Sequence, residues 1–268
     1  MRTLVHLSDL HFGRIDPMMI EPLRRAIDDA KPDLIAISGD FTQRARRAQF
    51  KAARAFVDSL TAKTLVVPGN HDIPLFDVLS RFAAPLQYYR RYISSDLEPE
   101  YQDEEMIVLG VNTARSWVFP FGEGRINEAQ VARIVQRLSA VPSSMLRVIV
   151  THHPFDLPPG INEKRLLGRS AMAMERLAIV SADLFLSGHI HISHVSHTVD
   201  RYQAADHSAL IVQAGTVSSR GRGEQPSFNV LKMQRPEIVL SRCAWDDVAG
   251  GFVAKLVGSY RHGPKGWT

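Results

Sequence analysis

The sequence predicts an α/β fold in which two packed β-sheets are sandwiched between helices, and three patterns carry that expectation. Short apolar runs alternate with amphipathic helical segments through the first two-thirds of the 268-residue chain, as they do in proteins built on parallel sheets. After His191 the helical period stops, and strand-like runs separated by Gly and Pro turns take over. Five polar clusters follow the apolar runs, at the strand ends where functional groups of open α/β sheets gather.

Taken in order, Thr3–Ser8, Leu34–Ser38, Leu65–Val67, Val148–Thr151 and Leu184–Ser187 are apolar with little alternation and read as buried strands, and Met106–Val111 reads as another. His6 lies inside the first and is expected to be a packed residue beside the site. Pro17–Ala30 repeats Ile20, Leu23 and Ile27 at helical spacing. Arg44–Leu60 carries Phe50, Ala53, Phe56, Val57 and Leu60 in the same way, and Asn127–Ala140 has Asn127 as N-cap with Val131, Ile134, Val135 and Leu138 inward. Ser170–Val180 is a fourth helix. The later strands are expected at about Ile192–Arg201, Ala209–Thr216, Ser227–Gln234 and Glu237–Ala244. Ile73–Gln102, with its Tyr88 to Tyr92 aromatic and Arg run, reads as an insertion: either a substrate cap or a packed helix with a solvated Arg face. His153–Arg169 reads as a long loop beside a ligand.

The polar clusters are Asp9-Leu10-His11, Gly39-Asp40, Gly69-Asn70-His71-Asp72, His152-His153-Pro154 and Gly188-His189-Ile190-His191. Asp9 and His11 are two apart, as are His189 and His191, so in extended backbone each pair projects to one side. Gly39 and Gly69 each precede a candidate ligand where the backbone must turn sharply. Asp, Asn and His donors suit a borderline or hard ion such as Mn, Zn, Fe or Mg. Singly, such residues are more often turn formers or packed histidines. Five clusters in order after successive strands reverse that weighting.

This ordered set resembles the signature of the calcineurin-like metallophosphoesterases, over Asp9 to His191 and onward to about Lys232 in the manner of the bacterial cyclic-nucleotide phosphodiesterase-like members. The resemblance implies a four-layer αββα sandwich, a single domain over residues 1–268, and a centre of two divalent or trivalent ions. It implies that Asp9, His11 and His191 hold one ion, that Asn70, His152 and His189 hold the other, and that Asp40 bridges them. It further implies that His71, oriented by Asp72, faces the scissile phosphate as proton donor or charge stabiliser. Paired ions clamp an in-line displacement and lower the pKa of water toward about 7, so hydroxide attack needs no side-chain nucleophile. His153 is left between substrate contact and support of His152, while His194, His197, His207 and His262 match no motif position.

Composition sets limits. No apolar run approaches the ~20 residues of a membrane helix, and a cleaved leader is not expected because it would remove Asp9 and His11. The single cysteine, Cys243, allows no intrachain disulfide and suits the cytoplasm. A net charge of +4 favours acidic partners weakly. Arg44, Arg46, Arg47, Lys51 and Arg54 read mainly as a solvated helix face, Arg220 and Arg222 lie in a Gly-rich turn, and Arg115 after its strand is the best single phosphate-contact candidate. No continuous basic track points to nucleic acid. The expected activity is hydrolysis of a small phosphoester, most directly a cyclic or linear diester. The alternatives are a phosphomonoesterase or phosphoprotein phosphatase, a nuclease, a lipid-precursor pyrophosphohydrolase, or a binding scaffold of the same fold, such as the retromer subunit, which has lost ligands that this chain retains.

Overall fold

In the computed structural model, which describes residues 1–117, 122–202 and 207–268, the parallel strands β1 (Arg2–Leu7), β2 (Leu34–Ile37) and β3 (Lys63–Val66) alternate with α1 (Pro17–Asp29) and α2 (Arg47–Asp58). Then α3 (Val78–Ala83), α4 (Gln87–Tyr92) and β4 (Glu100–Gln102) lead to a second sheet. Its parallel strands β5 (Met106–Val111), β6 (Leu146–Thr151) and β7 (Leu184–Ser187) alternate with α5 (Glu128–Ser139) and α6 (Ser170–Ile179). The chain closes with β8 (His194–His197), α7 (Thr198–Arg201), β9 (Leu210–Gln213), β10 (Ser227–Gln234), β11 (Glu237–Asp246), β12 (Gly251–Gly263) and β13 (Gly266–Trp267). The strand orders are β13-β12-β11-β10-β1-β2-β3 in one sheet and β4-β5-β6-β7-β9-β8 in the other.

Alternate side chains on each inner strand serve two interfaces. Leu4, Ala36 and Leu65 of the first sheet share a core with Val108, Val148 and Leu184 of the second. Their neighbours Val5, Ile35 and Ile37 point the other way, onto Leu23 and Ile27 of α1 and Phe50 and Phe56 of α2. On the far side Ile107, Ile149 and Phe185 meet Val131 and Ile134 of α5 and Leu177 of α6. The layers therefore run helix, sheet, sheet, helix, as the sequence implies. Burial on both faces explains why these strands read as continuous apolar runs, and each such side chain stabilises the fold by roughly 1.5–3 kcal/mol.

Local sequence sets the helix boundaries. The Asn127 side chain accepts from the Gln130 amide at 2.9 Å while Gln130 Oε1 accepts from the Asn127 amide at 3.0 Å, a reciprocal cap on α5. The second helix begins at Arg47, later than the periodicity suggests, because Ala45 lies at φ +50 and cannot continue a right-handed helix backwards. The expected strand from Ile192 to Arg201 is shorter, since the Asp200 carboxylate accepts from the His197 amide at 3.0 Å and turns the chain into α7. The aromatic and Arg run of Ile73–Gln102 is a packed helix: Tyr89 is buried, the Tyr92 ring stacks on Phe50 with centroids 6.2 Å apart, and Arg90 and Arg91 are exposed. Among the described residues no helix is long and apolar enough to cross a membrane.

Candidate metal centre

The candidate ligands leave the carboxyl ends of parallel strands on both sheets: Asp9 and His11 after β1, Asp40 after β2, Asn70 after β3, His152 after β6, and His189 and His191 after β7. Their loops are tied together by backbone, with the Asp9 amide donating to Gly39 O at 3.1 Å and the His11 amide to Asp40 O at 2.9 Å. Asp9 Oδ2 accepts from the His189 amide at 2.9 Å, which joins the two sheets at the site. Gly39 sits at φ +93, and a Cβ at Gly69 would lie 2.2 Å from Asp40 Oδ1, so both positions need glycine for the reasons the motif suggests. Asp9, His11, Asp40, His189 and His191 themselves have φ between +45 and +71. Left-handed backbone at five non-glycine residues is a cost that clusters at functional sites.

Two donor groups result. In the first, the donor atoms of Asp9, His11, Asp40 and His191 lie within 4.8 Å of one another, with His11 Nε2 and His191 Nε2 3.1 Å apart. In the second, Asn70 Oδ1 is 3.0 Å from His152 Nε2 and 3.0 Å from His189 Nδ1. Asp40 stands between them: its Oδ2 is 3.6 Å from His11 Nε2 and its Oδ1 is 3.5 Å from His152 Nε2. The rings are aimed from behind by backbone carbonyls, His152 Nδ1 at Ser38 O (2.7 Å) and His191 Nδ1 at Arg220 O (3.0 Å), which turn Nε2 inward.

The electrostatics prepare these groups for a cation. Burial raises the Asp9 carboxyl, but His191 and His11 outweigh it and hold the group well below its usual range. Asp40 is likewise lowered against burial by His152, His71 and His11. Burial lowers His189 far below an ordinary imidazole, so it presents a neutral ring. Against burial, Asp9 raises His191 above an ordinary imidazole, so a cation arriving there displaces a proton, since metal binding requires ionised carboxylates and neutral imidazoles. Buried Asp9 Oδ1 has no aligned hydrogen bond, only His191 Nε2 at 3.1 Å and His11 Nε2 at 3.5 Å, and a cation would satisfy all three atoms. By donor chemistry and by this unsatisfied oxygen, the residues fit a two-ion centre.

His153, which the sequence leaves between two roles, is buried with both ring nitrogens engaged, Nδ1 by Thr113 Oγ1 (2.8 Å) and Nε2 by Gly122 O (2.9 Å). It packs edge-on against His152 at a centroid distance of 4.8 Å and therefore supports that ring. His6 is packed as expected, its Nε2 on Ser38 Oγ at 2.9 Å.

Two expectations need correction. Asp72 does not orient His71: its carboxylate accepts from the Gly69, Thr42 and Phe41 amides, and His71 Nδ1 is held at 2.9 Å by Gln43 O instead. Burial and the nearby Asp40 charge raise Asp72 to about 7 against the pull of those amides. Arg115 does not reach the centre, because its guanidinium donates to Asn112 O, Ala114 O and Gln130 Oε1. The cation that does reach it is Arg220, with Nη1 3.0 Å from His71 Nε2 and 3.3 Å from His11 Nε2. Arg165 reaches the other side, 3.3 Å from His189 Nε2. Their sequence signals were weak: a Gly-rich basic turn for Arg220 and a loop beside a ligand for Arg165.

The fold and this convergence of donors define a metal-dependent phosphoesterase. Residues 2–193 match the family model of the calcineurin-like phosphoesterases, and the chain belongs to that family, whose members use a dinuclear metal centre. Among solved structures it is similar to a dimetal phosphatase from Danio rerio, with 14% identity, a TM-score of 0.66, and coverage of 96% of this chain and 99% of that one. It is also similar to the purple acid phosphatase PPD1 of yellow lupin, with 12% identity, a TM-score of 0.68, and coverage of 96% of this chain and 53% of that one. A phosphopantetheinyl hydrolase from Mycobacterium tuberculosis aligns at 17% identity and a TM-score of 0.51, over 80% of this chain and 89% of its own. At these identities the likeness is one of fold. A search of curated proteins found no match.

Proposed function

We propose that the chain is a dinuclear metal phosphodiesterase acting on a small cyclic or linear diester, with Asp9, His11, Asp40 and His191 around one ion and Asp40, Asn70, His152 and His189 around the other. The observation that carries this reading is Asp40, whose two oxygens turn to different donor groups. When bound, Mn, Fe, Zn or Mg ions would polarise the phosphoryl group and lower the pKa of attacking water. The chain's own residues do the rest. Asp40 offsets repulsion between two cations, and its Oδ1 accepts the His71 amide at 2.7 Å, which ties the bridging position to the catalytic histidine.

His71 Nδ1–H donates to Gln43 O, leaving Nε2 as the working atom. Burial lowers the His71 pKa, so the free enzyme holds a neutral ring. An arriving phosphate anion favours the charged form, which then donates to the leaving alkoxide. Arg220 supplies a guanidinium for a non-bridging oxygen. Ile73 and Leu75 wall a cavity of about 120 Å³ over His71, where a second ester substituent fits, and this favours a diester. The guanidiniums of Arg220 and Arg165 favour a second reading, a monoesterase, because a dianion takes more cationic donors. One cysteine without a disulfide supports a cytoplasmic location. The deciding experiment is an Mn-loaded assay of bis-p-nitrophenyl phosphate, cyclic and linear natural diesters, and p-nitrophenyl phosphate. Higher kcat/KM on diesters is expected; robust monoester turnover with negligible activity on every diester would move the chain to the phosphatase reading.

A further inference from the structure

The lip of the catalytic cavity is apolar and open. Leu75, which lines the cavity beside His71 and Asn70, is 40% exposed, and the chain continues outward from it through Phe76 (76%), Val78 (62%) and Leu79 (77%). At the far end of α3 the Phe82 ring lies 4.3 Å from that of Trp117, itself 76% exposed. Single exposed apolar residues need no explanation, but a run of this kind marks a binding surface. Its position is informative. Arg44 belongs both to the cavity over His71 and to the lip, its guanidinium lying 5.9 Å from the Phe76 ring. The order from inside outward is therefore catalytic centre, guanidinium, apolar strip.

An anionic phosphoester continued by an apolar chain has the same order. From this we infer that the substrate is an amphiphilic phosphoester whose second substituent carries an alkyl, acyl or similarly apolar chain, laid from Leu75 across Phe76 and Leu79 toward Trp117. The inference rests on the phosphoesterase reading and narrows its substrate class. Continuity with the cavity commits the strip to the substrate and not to a second copy of the chain.

The test uses p-nitrophenyl alkyl phosphodiesters with methyl, butyl and octyl groups, kept below their micellar concentrations, on the Mn-loaded protein. A fully buried methylene is worth roughly fourfold, so three buried methylenes raise kcat/KM from methyl to octyl by about 60-fold. Leu79→Ser, at an exposed position that does not line the cavity, should lower the octyl-to-methyl ratio of kcat/KM toward 1. Independently of turnover, n-octyl phosphate added to the metal-free protein should blue-shift a fluorescence component that Trp117→Phe removes. Flat chain-length dependence on an active methyl ester overturns the inference while leaving the phosphoesterase reading intact. If none of these diesters is cleaved, the diesterase reading fails and the fluorescence titration alone decides the inference, its absence overturning it. A dimer in sedimentation that Leu79→Ser dissolves would assign the strip to self-association and also overturn it.

Discussion

Asp72 offers the sharpest test of how the centre is held, since sequence adjacency suggests a partner for His71 and the geometry shows a clamp. Its Oδ1 accepts from the Thr42 amide (3.0 Å) and Thr42 Oγ1 (3.2 Å), and its Oδ2 from the Gly69 amide (3.0 Å) and Phe41 amide (3.2 Å). The carboxylate thus joins the loop after β2, which carries Asp40, to the loop after β3, which carries Asn70 and His71. In Asp72→Asn one carboxylate oxygen becomes an NH2, which cannot accept. Its least costly orientation faces Thr42, whose hydroxyl can rotate to accept from it, and only the Thr42 amide is then left buried and unpaired. One such donor costs about 1–3 kcal/mol, offset in part because Asn does not carry the charge that burial and Asp40 disfavour, so a loss of ~1 kcal/mol is expected, or a fall in Tm of about 2–4 °C at the scale for a chain of this size. Urea unfolding of metal-free protein should show a lower midpoint at unchanged slope, and elemental analysis a weaker hold on both ions. The rate loss in metal-loaded Asp72→Asn should be alike for good and poor leaving groups. A variant as stable as wild type that loses rate only with poor leaving groups would refute the clamp and restore a His71–Asp72 pair.

The remaining predictions address separate parts of the molecule. Asp40→Asn should lower metal content and turnover more than Asn70→Ala, because one change touches both donor groups and the other removes a neutral ligand from one; two ions retained at near-normal turnover would sink the bridging role. His71→Ala should keep both ions yet lose roughly 10²–10⁴-fold in rate, less with p-nitrophenolate as leaving group; an equal loss for all leaving groups would leave only an electrostatic role. Burial pushes the Asp156 carboxyl up, but hydrogen bonds from His194, Ser196 and Arg201 hold it well below its ordinary value. A depressed folded-state pKa means that its stabilisation is present above the unfolded value near ~3.9 and is lost as pH falls through the folded one. Asp156→Asn should therefore destabilise by about 1–3 kcal/mol at pH 7, with the gap to wild type closing as pH drops from about 5; a pH-independent gap would show that packing, not charge, makes the contribution.

Why the ligands were legible in the sequence and the arginines were not follows from how each is placed. Asp9, Asp40, Asn70, His152 and His189 sit within four residues of a strand end, so the covalent chain fixes their position once the apolar run is recognised. Arg220 is 209 residues from His11 in sequence. It arrives because β10 returns antiparallel to β1, pairing Asn229 with His6, and because Thr216 Oγ1 donates to Asp9 O at 2.7 Å, which docks the Gly-rich turn over the centre. No local period encodes that closure. Arg115 failed for the converse reason: it follows a strand, but Gln130 on α5 offers its guanidinium an acceptor at 2.8 Å, nearer at hand than the centre. Adjacency misled at Asp72 as well, since in the 3₁₀ turn Asn70–Asp72 successive side chains diverge, one to the other donors, one to Gln43 O and one back to the Gly69 amide. The missed strand β12 exposes Val253, Leu256 and Val257 and holds its place through backbone pairing to β11, so it carries no burial pattern to read. Position relative to a strand end thus identifies a ligand, whereas the partner that tunes it is set by which distant loop the sheet order brings across, as the pairing of β10 with β1 brings Arg220.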